Sequence, residues 1–219
     1  MRAEKLELEL AGARVLFTTQ GEGSLTDERN RAQLEARLGV RLAYGRQVHG
    51  VSVRRVLDPA QTDEVHEADG QATVLAGVAP MVLTADCLPV AIAGAGGVAM
   101  LHAGWRGLAA GVLAEGVGAL RELGVEERLE AAIGPGAGLC CYEAGDEVHA
   151  AFAEELDVPA RRGRNLDLKA IARAQLARAG VAEVHDVGMC TICSREPPFY
   201  SHRRDGGSTG RQAGVAWLT

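Results

Sequence analysis

The chain has 219 residues, 47% of them hydrophobic, which is material for one large or two small domains with a substantial core. Its net charge of −6 excludes the basic surface that a nucleic-acid partner favours. No apolar run approaches the roughly 20 residues that cross a bilayer, so no membrane partner is expected either.

The opening stretch MRAEKLELEL is charged and alternating, unlike a signal or transit peptide, so the expected location is cytoplasmic. Five cysteines are an odd number in a chain without an export signal. Reduced thiols, free for metal or catalysis, are therefore expected in place of a disulfide framework. Residues 5–10 alternate at period two and read as a half-buried strand, with 14–19 as its partner. Residues 27–38 read as a helix capped by Thr26 and stopped by Gly39. Short β-like runs follow at 40–48, 51–57, 71–76, 80–85, 88–93 and 97–102, separated by Gly, Pro and Asp. A long helix is expected at 107–122, with Leu108, Val112, Leu113, Val117 and Leu120 on one face and Gly124 as its end. Then come a strand at 129–133, a helix at 144–155, a loop at 157–164 and a helix at 166–179, capped by Asn165 and closed by Gly180. Strands near 184–189, 198–202 and 214–218 complete the set. Strands outnumber helices and the order is mixed. The expected class is α/β mixed (α+β): packed mixed β-sheets with helices on the outer faces, in a single domain over 1–219.

Three segments place a metal-type ligand where a strand ends: His49 in RQVHG, Cys87 in TADCLP and His102 in LHAGWRG. Two imidazoles and a thiolate suit Zn²⁺ and leave a fourth position open, as in catalytic zinc sites. The three are far apart in sequence, with no local pair of the CxxC or HExxH kind, so only a fold can bring them together. Each also has an ordinary reading, the histidines as hydrogen-bonded surface residues and the cysteine as a small buried hydrophobe. Cys190 and Cys193 form a CxxC that reads as a strand end with two reduced thiols, because no second CxxC completes a four-thiolate site. Cys140 and Cys141 are adjacent, point apart if they lie in a strand, and read as packing residues. The glycines of Gly134-Pro135-Gly136-Ala137-Gly138 fit a phosphate-cradling loop or a structural turn. The segment from Arg203 to Arg211 fits an oxyanion site or a solvated turn with an Arg–Asp pair.

Taken together, RQVHG at 46–50, ADG at 68–70, TADCLPV at 84–90, HAGWRG at 102–107, IGPGAGLCCYEAGDEV at 133–148, CTIC at 190–193 and FYSHRRDGGSTGRQA at 199–213 resemble one family. It is the multicopper polyphenol oxidoreductase (laccase-domain) family, also described as YfiH-like or purine nucleoside phosphorylase. Gln71 and Phe199-Tyr200 depart mildly from its pattern. The resemblance implies packed mixed sheets and one zinc held by His49, Cys87 and His102; by the order of divalent-metal affinities, copper binds such ligands more tightly and is the expected substitute. It implies phosphorolysis of adenosine, inosine, guanosine and methylthioadenosine, deamination of adenosine, and in one bacterial branch the editing of peptidoglycan precursors. The expected partners are a purine nucleoside and phosphate, and the expected state is a monomer.

Deamination at purine C6 would use a metal-activated water and a carboxylate to relay protons, for which Asp86 and Glu143 are the candidates. Asp86, next to Cys87, points to the opposite face of a regular strand and reads as a supporting residue. Phosphorolysis needs oxyanion holders, and Arg46, Arg106, Arg203 and Arg211 are the expected substrate-binding residues. Three rivals stand beside this reading. A copper polyphenol oxidase (laccase) needs many more imidazoles than the six present. A metal-free cysteine hydrolase would use Cys87 as nucleophile and His102 or His49 as base. A non-catalytic module would unfold on losing its metal.

Overall fold

The computed structural model describes residues 6–126, 128–153, 160–196 and 198–219. The chain opens as an antiparallel hairpin of β1 (Glu7–Leu10) and β2 (Ala13–Phe17), turned at Ala11 and Gly12, both at positive φ. Residue 5, the start of the first expected strand, lies outside the described residues. Helix α1 (Glu28–Leu38) is capped by Asp27, whose carboxylate accepts the Arg29 amide at 2.8 Å, and Gly39 closes it at φ 69°. Thr26, the expected cap, instead bonds Ser24 through its hydroxyl at 2.9 Å.

The six short runs become β3 (Arg41–Ala43), β4 (Val53–Val56), β5 (Gly70–Thr73), β6 (Val78–Thr84), β7 (Leu88–Gly94) and β8 (Gly97–Ala103). The helix expected at 107–122 is two helices, α2 (Trp105–Ala110) and α3 (Val112–Glu122). Gly111 sits at φ 95° between them, a left-handed conformation that interrupts a right-handed helix. Strand β9 (Leu129–Ile133) has its expected bounds. Helix α4 (Asp146–Ala151) lies inside the expected 144–155, of which 154 and 155 are outside the described residues. A hairpin of β10 (Arg161–Arg162) and β11 (Asn165–Leu166), turned at Gly163, replaces much of the expected loop at 157–164, whose first three residues are outside the described set. Helix α5 (Leu168–Arg178) is capped by Asp167, which accepts the Lys169 and Ala170 amides. The expected cap, Asn165, donates its side-chain amide to the Leu139 carbonyl instead. Gly180 follows at positive φ, as a helix stop should. Strand β12 (Val181–Asp186) starts earlier than expected, and β13 (Gln212–Leu218) ends the set. Residues 198–202 form no strand, because the Gln212 side chain takes both backbone bonds of Tyr200.

Two mixed sheets result. The first has the order β1-β2-β13-β6-β3 and is antiparallel except for the β3–β6 pair. The second has the order β12-β9-β7-β8-β5-β4, with parallel pairs only at its two edges. They pack face to face through Leu10, Phe17, Val82, Ala93, Met100 and Ala216. Helices α2, α3 and α5 cover the outer face of the second sheet, and α1 covers the first through Leu34, Met81, Val215 and Trp217. The architecture is therefore helix, sheet, sheet, helix, the mixed α+β class expected. Fully buried side chains such as Leu101, Leu113 and Leu120 each contribute about 1.5–3 kcal/mol by leaving water. Contacts are close where glycine permits: a Cβ on Gly116 of α3 would lie 2.3 Å from a Leu101 methyl on β8.

This packing fixes the strand that carries His102. In the β7–β8 ladder His102 lies opposite Pro89, and Leu88, the residue after Cys87, lies opposite Ala103. The head of β5 lies on the other side, where the His102 amide donates to the Asp69 carbonyl at 2.7 Å.

Candidate functional site

His102 is a β8 residue, 3% exposed, so its ring is set by a rigid strand. Cys87 sits in the bend between β6 and β7, and His49 in the loop before β4 at φ 60°. A left-handed histidine needs outside support. Asp69, which is 0% exposed, supplies it by accepting the amides of Val48, His49 and Gly50 at 2.8–3.0 Å. Its Oδ1 also accepts His102 Nδ1–H at 2.8 Å. One carboxylate thus shapes the His49 loop and orients the His102 ring through Nδ1, so that Nε2 is the nitrogen directed away from it. Sequence reasoning did not single out Asp69, and its only signal was the ADG segment.

The ligand atoms of His49, Cys87 and His102 all lie within 4.8 Å of one another, with Cys87 Sγ 3.9 Å from His49 Nε2. The two imidazoles meet edge-on with centroids 4.8 Å apart. The three are of the type and spacing to hold one ion. Gly104 makes room for them, since a Cβ there would lie 3.0 Å from both Cys87 Sγ and His49 Cδ2. Charge shapes the group as well. Burial alone would push the Cys87 thiol up, but the imidazoles of His102 and His49 outweigh it and hold it at about 6. Burial likewise disfavours the imidazolium of His102, yet Asp69 and Cys87 raise it to about 9. Asp69 is desolvated too, but His102 and the loop amides keep its carboxyl below the usual range.

The three residues lie in a cavity of about 650 Å³, a volume usual for small-molecule sites. All four expected arginines line it. Arg106 stacks over the Trp105 ring at 4.3 Å and Arg203 over the Tyr142 ring at 4.9 Å. Arg46 pairs with Glu67, and Arg211 donates to the carbonyls of Thr209 and Gly210 at 2.9 Å. Tyr142 and His202, not anticipated from sequence, also face the cavity. Burial pushes the Tyr142 phenol up, so it keeps its proton at neutral pH. Two other cavities of similar size, beside Trp217 and beside Tyr44, are lined by neither thiol nor imidazole.

Several expectations need correction. Asp86 lies on no strand: it is at φ 91° in the bend. Its supporting role follows from other bonds, since Oδ1 accepts the Thr191 hydroxyl at 2.7 Å and Oδ2 the Arg203 amide at 2.8 Å. The Glu143 carboxylate pairs with Arg164 at 2.7 Å and does not line the cavity. The glycines at 134–138 form a structural turn, with a Cβ on Gly134 falling 2.5 Å from the Phe17 ring and one on Gly136 falling 2.4 Å from Leu88. The Arg203–Arg211 segment combines both of its readings: Arg204 pairs with Asp205 at 2.8 Å, while Arg203 and Arg211 turn to the cavity. Cys140 and Cys141 lie in a turn and not a strand, and with Cys190 and Cys193 they form a second group whose sulfurs lie within 4.8 Å of one another. The adjacent pair thus stands beside Cys190 and Cys193 where a second CxxC would.

The chain is similar to known proteins along nearly all its length. It is 44% identical to a purine nucleoside phosphorylase of Xylella fastidiosa, an alignment covering 90% of this chain and 81% of that protein. It is 42% identical to one of Pseudomonas aeruginosa, over 87% of this chain and 80% of that protein. Among solved structures, a Neisseria meningitidis protein of the DUF152 family superposes with a TM-score of 0.82 at 30% identity, covering 97% and 99% of the two chains. YlmD from Geobacillus stearothermophilus superposes at 0.81 and 30% identity, covering 95% and 92%. The family described as multi-copper polyphenol oxidoreductase laccase matches residues 18–219, nearly the whole chain and every segment of the site, and the chain belongs to it.

Proposed function

We propose that this chain is a zinc-dependent purine nucleoside phosphorylase, acting on adenosine, inosine, guanosine and methylthioadenosine, that also deaminates adenosine. The observation that carries this reading is the meeting of two imidazoles and a thiol at the wall of an arginine-lined cavity. The name of the relatives supports the substrate class. The donor set fits Zn²⁺, which takes nitrogen and sulfur ligands and, with three of them, keeps a fourth position open. His49, Cys87 and His102 would hold the ion. When bound, it supplies a fixed positive charge and an electrophilic centre.

The chain's own residues do the remainder. In phosphorolysis a phosphate oxygen bonds ribose C1′, the bond from C1′ to purine N9 breaks, and the purine leaves with a proton. Arg46, Arg106, Arg203 and Arg211 bind the phosphate and offset its charge. Trp105 and Tyr142 offer flat apolar surfaces to the base, each already carrying a guanidinium. The Tyr142 hydroxyl donates a hydrogen bond to the base or sugar. Asp86 positions Arg203 through its amide. In deamination water adds at C6 and ammonia leaves.

The Cys87 thiol, held at about 6 between two imidazoles, favours one second reading, a cysteine hydrolase free of metal. Incubation with adenosine and phosphate, with products separated by chromatography and zinc measured in parallel, decides between them. The phosphorylase reading expects adenine and ribose 1-phosphate, inosine or hypoxanthine from deamination, and, in Cys87→Ala, loss of the products and of the ion held by His49, Cys87 and His102. Zinc without product would sink the purine assignment and turn the search to peptidoglycan precursors. Turnover that survives chelation but not alkylation would establish the hydrolase.

A further inference from the structure

A second group of thiols lies behind the cavity wall. Cys140 and Cys141 stand in a turn closed by the amides of Cys141 and Tyr142, both donating to the Gly138 carbonyl at 2.9 Å. Cys190 and Cys193 stand in another, closed by the Ser194 amide on the Cys190 carbonyl at 3.0 Å. The two turns are bound to each other, since the Thr191 amide donates to the Gly136 carbonyl at 3.0 Å. Their four sulfurs lie within 4.8 Å of one another, and Cys140 Sγ is 3.6 Å from Cys193 Sγ. A zinc tetrathiolate with bonds of about 2.3 Å has sulfur–sulfur edges of about 3.8 Å, so the observed spacing is near that of a loaded site.

Two details suit a metal. The Gly138 amide donates to Cys190 Sγ at 3.3 Å, and the nearby amides of Ile192 and Cys193 also favour its charged form. Such donors stabilise a sulfur carrying negative charge, as a metal-bound thiolate does. Gly138 itself leaves room, because a Cβ there would lie 3.2 Å from Cys190 Cβ and 3.3 Å from Cys140 Sγ. One disulfide would engage only two of the sulfurs, a pair of them would hold bonded sulfurs about 2.05 Å apart, and all four stand here as free cysteines.

We infer that Cys140, Cys141, Cys190 and Cys193 form a second metal site, a closed four-thiolate site for Zn²⁺ whose task is structural. Four protein ligands leave no open position, so the site does no chemistry of its own. It clamps the 138–142 turn to the 190–194 turn. The first continues into Tyr142, which lines the cavity, and the second is held by Thr191 to Asp86, which positions Arg203. The clamp is independent of the nucleoside reading.

Metal content tests it. Protein purified under reducing conditions, supplied with Zn²⁺ and freed of excess, is expected to carry about two zinc ions per chain. Cys87→Ala should keep about one and Cys193→Ser about one, and Co²⁺ loaded into Cys87→Ala should give the intense absorption of tetrahedral cobalt thiolate. Cys193 is exposed, so its serine variant leaves the core untouched. The inference fails if the Cys193→Ser protein holds as much zinc as the wild type. It also fails if non-reducing mass spectrometry of the zinc-supplied wild type finds a Cys140–Cys193 disulfide.

Discussion

A carboxylate that accepts three loop amides and one imidazole has no freedom left, and Asp69 is such a group. Asp69→Ala leaves the buried His102 ring without its partner and the three loop amides without their acceptor, which is expected to cost about 3–5 kcal/mol in denaturant unfolding. Asp69→Asn keeps the volume but replaces an acceptor with a donor facing other donors, and metal affinity at His49, Cys87 and His102 should fall about 10–100-fold in a chelator competition. Gly104→Ala separates site from fold. Its φ of −73° suits alanine, while its Cβ presses on Cys87 and His49. Metal affinity should fall about tenfold or more, with the melting temperature of the metal-free protein nearly unchanged. An unchanged affinity would mean that the pocket floor is softer than its packing suggests. At this scale residue type points to His49, Cys87 and His102, which the fold brings within 4.8 Å of one another, and does not point to their support. An aspartate before a glycine carries no mark of burial, and two adjacent cysteines converge only because a turn bends the chain, where a strand would point them apart.

Elements obey glycine more closely than hydrophobic pattern. The apolar stripe from Leu108 to Leu120 runs through Gly111 without a break in period, so the sequence reads as one helix where two exist. Conversely, β9 is bounded as its pattern indicates, since both of its faces are covered. The contact of α3 with β8 predicts a double-mutant result. Gly116→Ala forces a methyl against Leu101 and should cost about 1–3 kcal/mol. Leu101→Ala should cost about 2–5 kcal/mol by leaving a cavity. The double variant should cost less than the sum, because the added methyl enters the space vacated. The 201–211 segment is held differently. The Arg204 guanidinium and the Thr209 hydroxyl lower the Asp205 carboxyl from 3.8 to about 2. A lowered acid stabilises the folded segment fully above its ordinary value and loses that effect as pH falls through its folded one. Amide exchange across 201–211 should therefore accelerate, relative to the core, between about pH 4 and pH 2. In Asp205→Asn it should be fast at neutral pH and show no such step.

The whole molecule carries a net charge of −6 yet gathers four arginines at one cavity. Such a local field, set against the global one, draws in small anions and is screened by salt. On the phosphorylase reading the KM for phosphate should rise several-fold between low salt and about 0.5 M, and Arg203→Ala with Arg211→Ala should flatten that dependence. The layer order was legible from the excess of strands over helices, but strand neighbours were not, because pairing between distant segments leaves no local trace. The place of β13 is the clearest case. It is the last strand in sequence, yet it lies between β2 and β6 and hydrogen-bonds to both. A chain made from its amino end must therefore hold β2 and β6 with open edges until residues 212–218 have been synthesised. Until β13 arrives those edges can pair with other chains. Synthesis thus leaves a window in which the first sheet exists only as unjoined halves. Chaperone capture during translation, or aggregation of chains stalled before residue 212, would find it in that state.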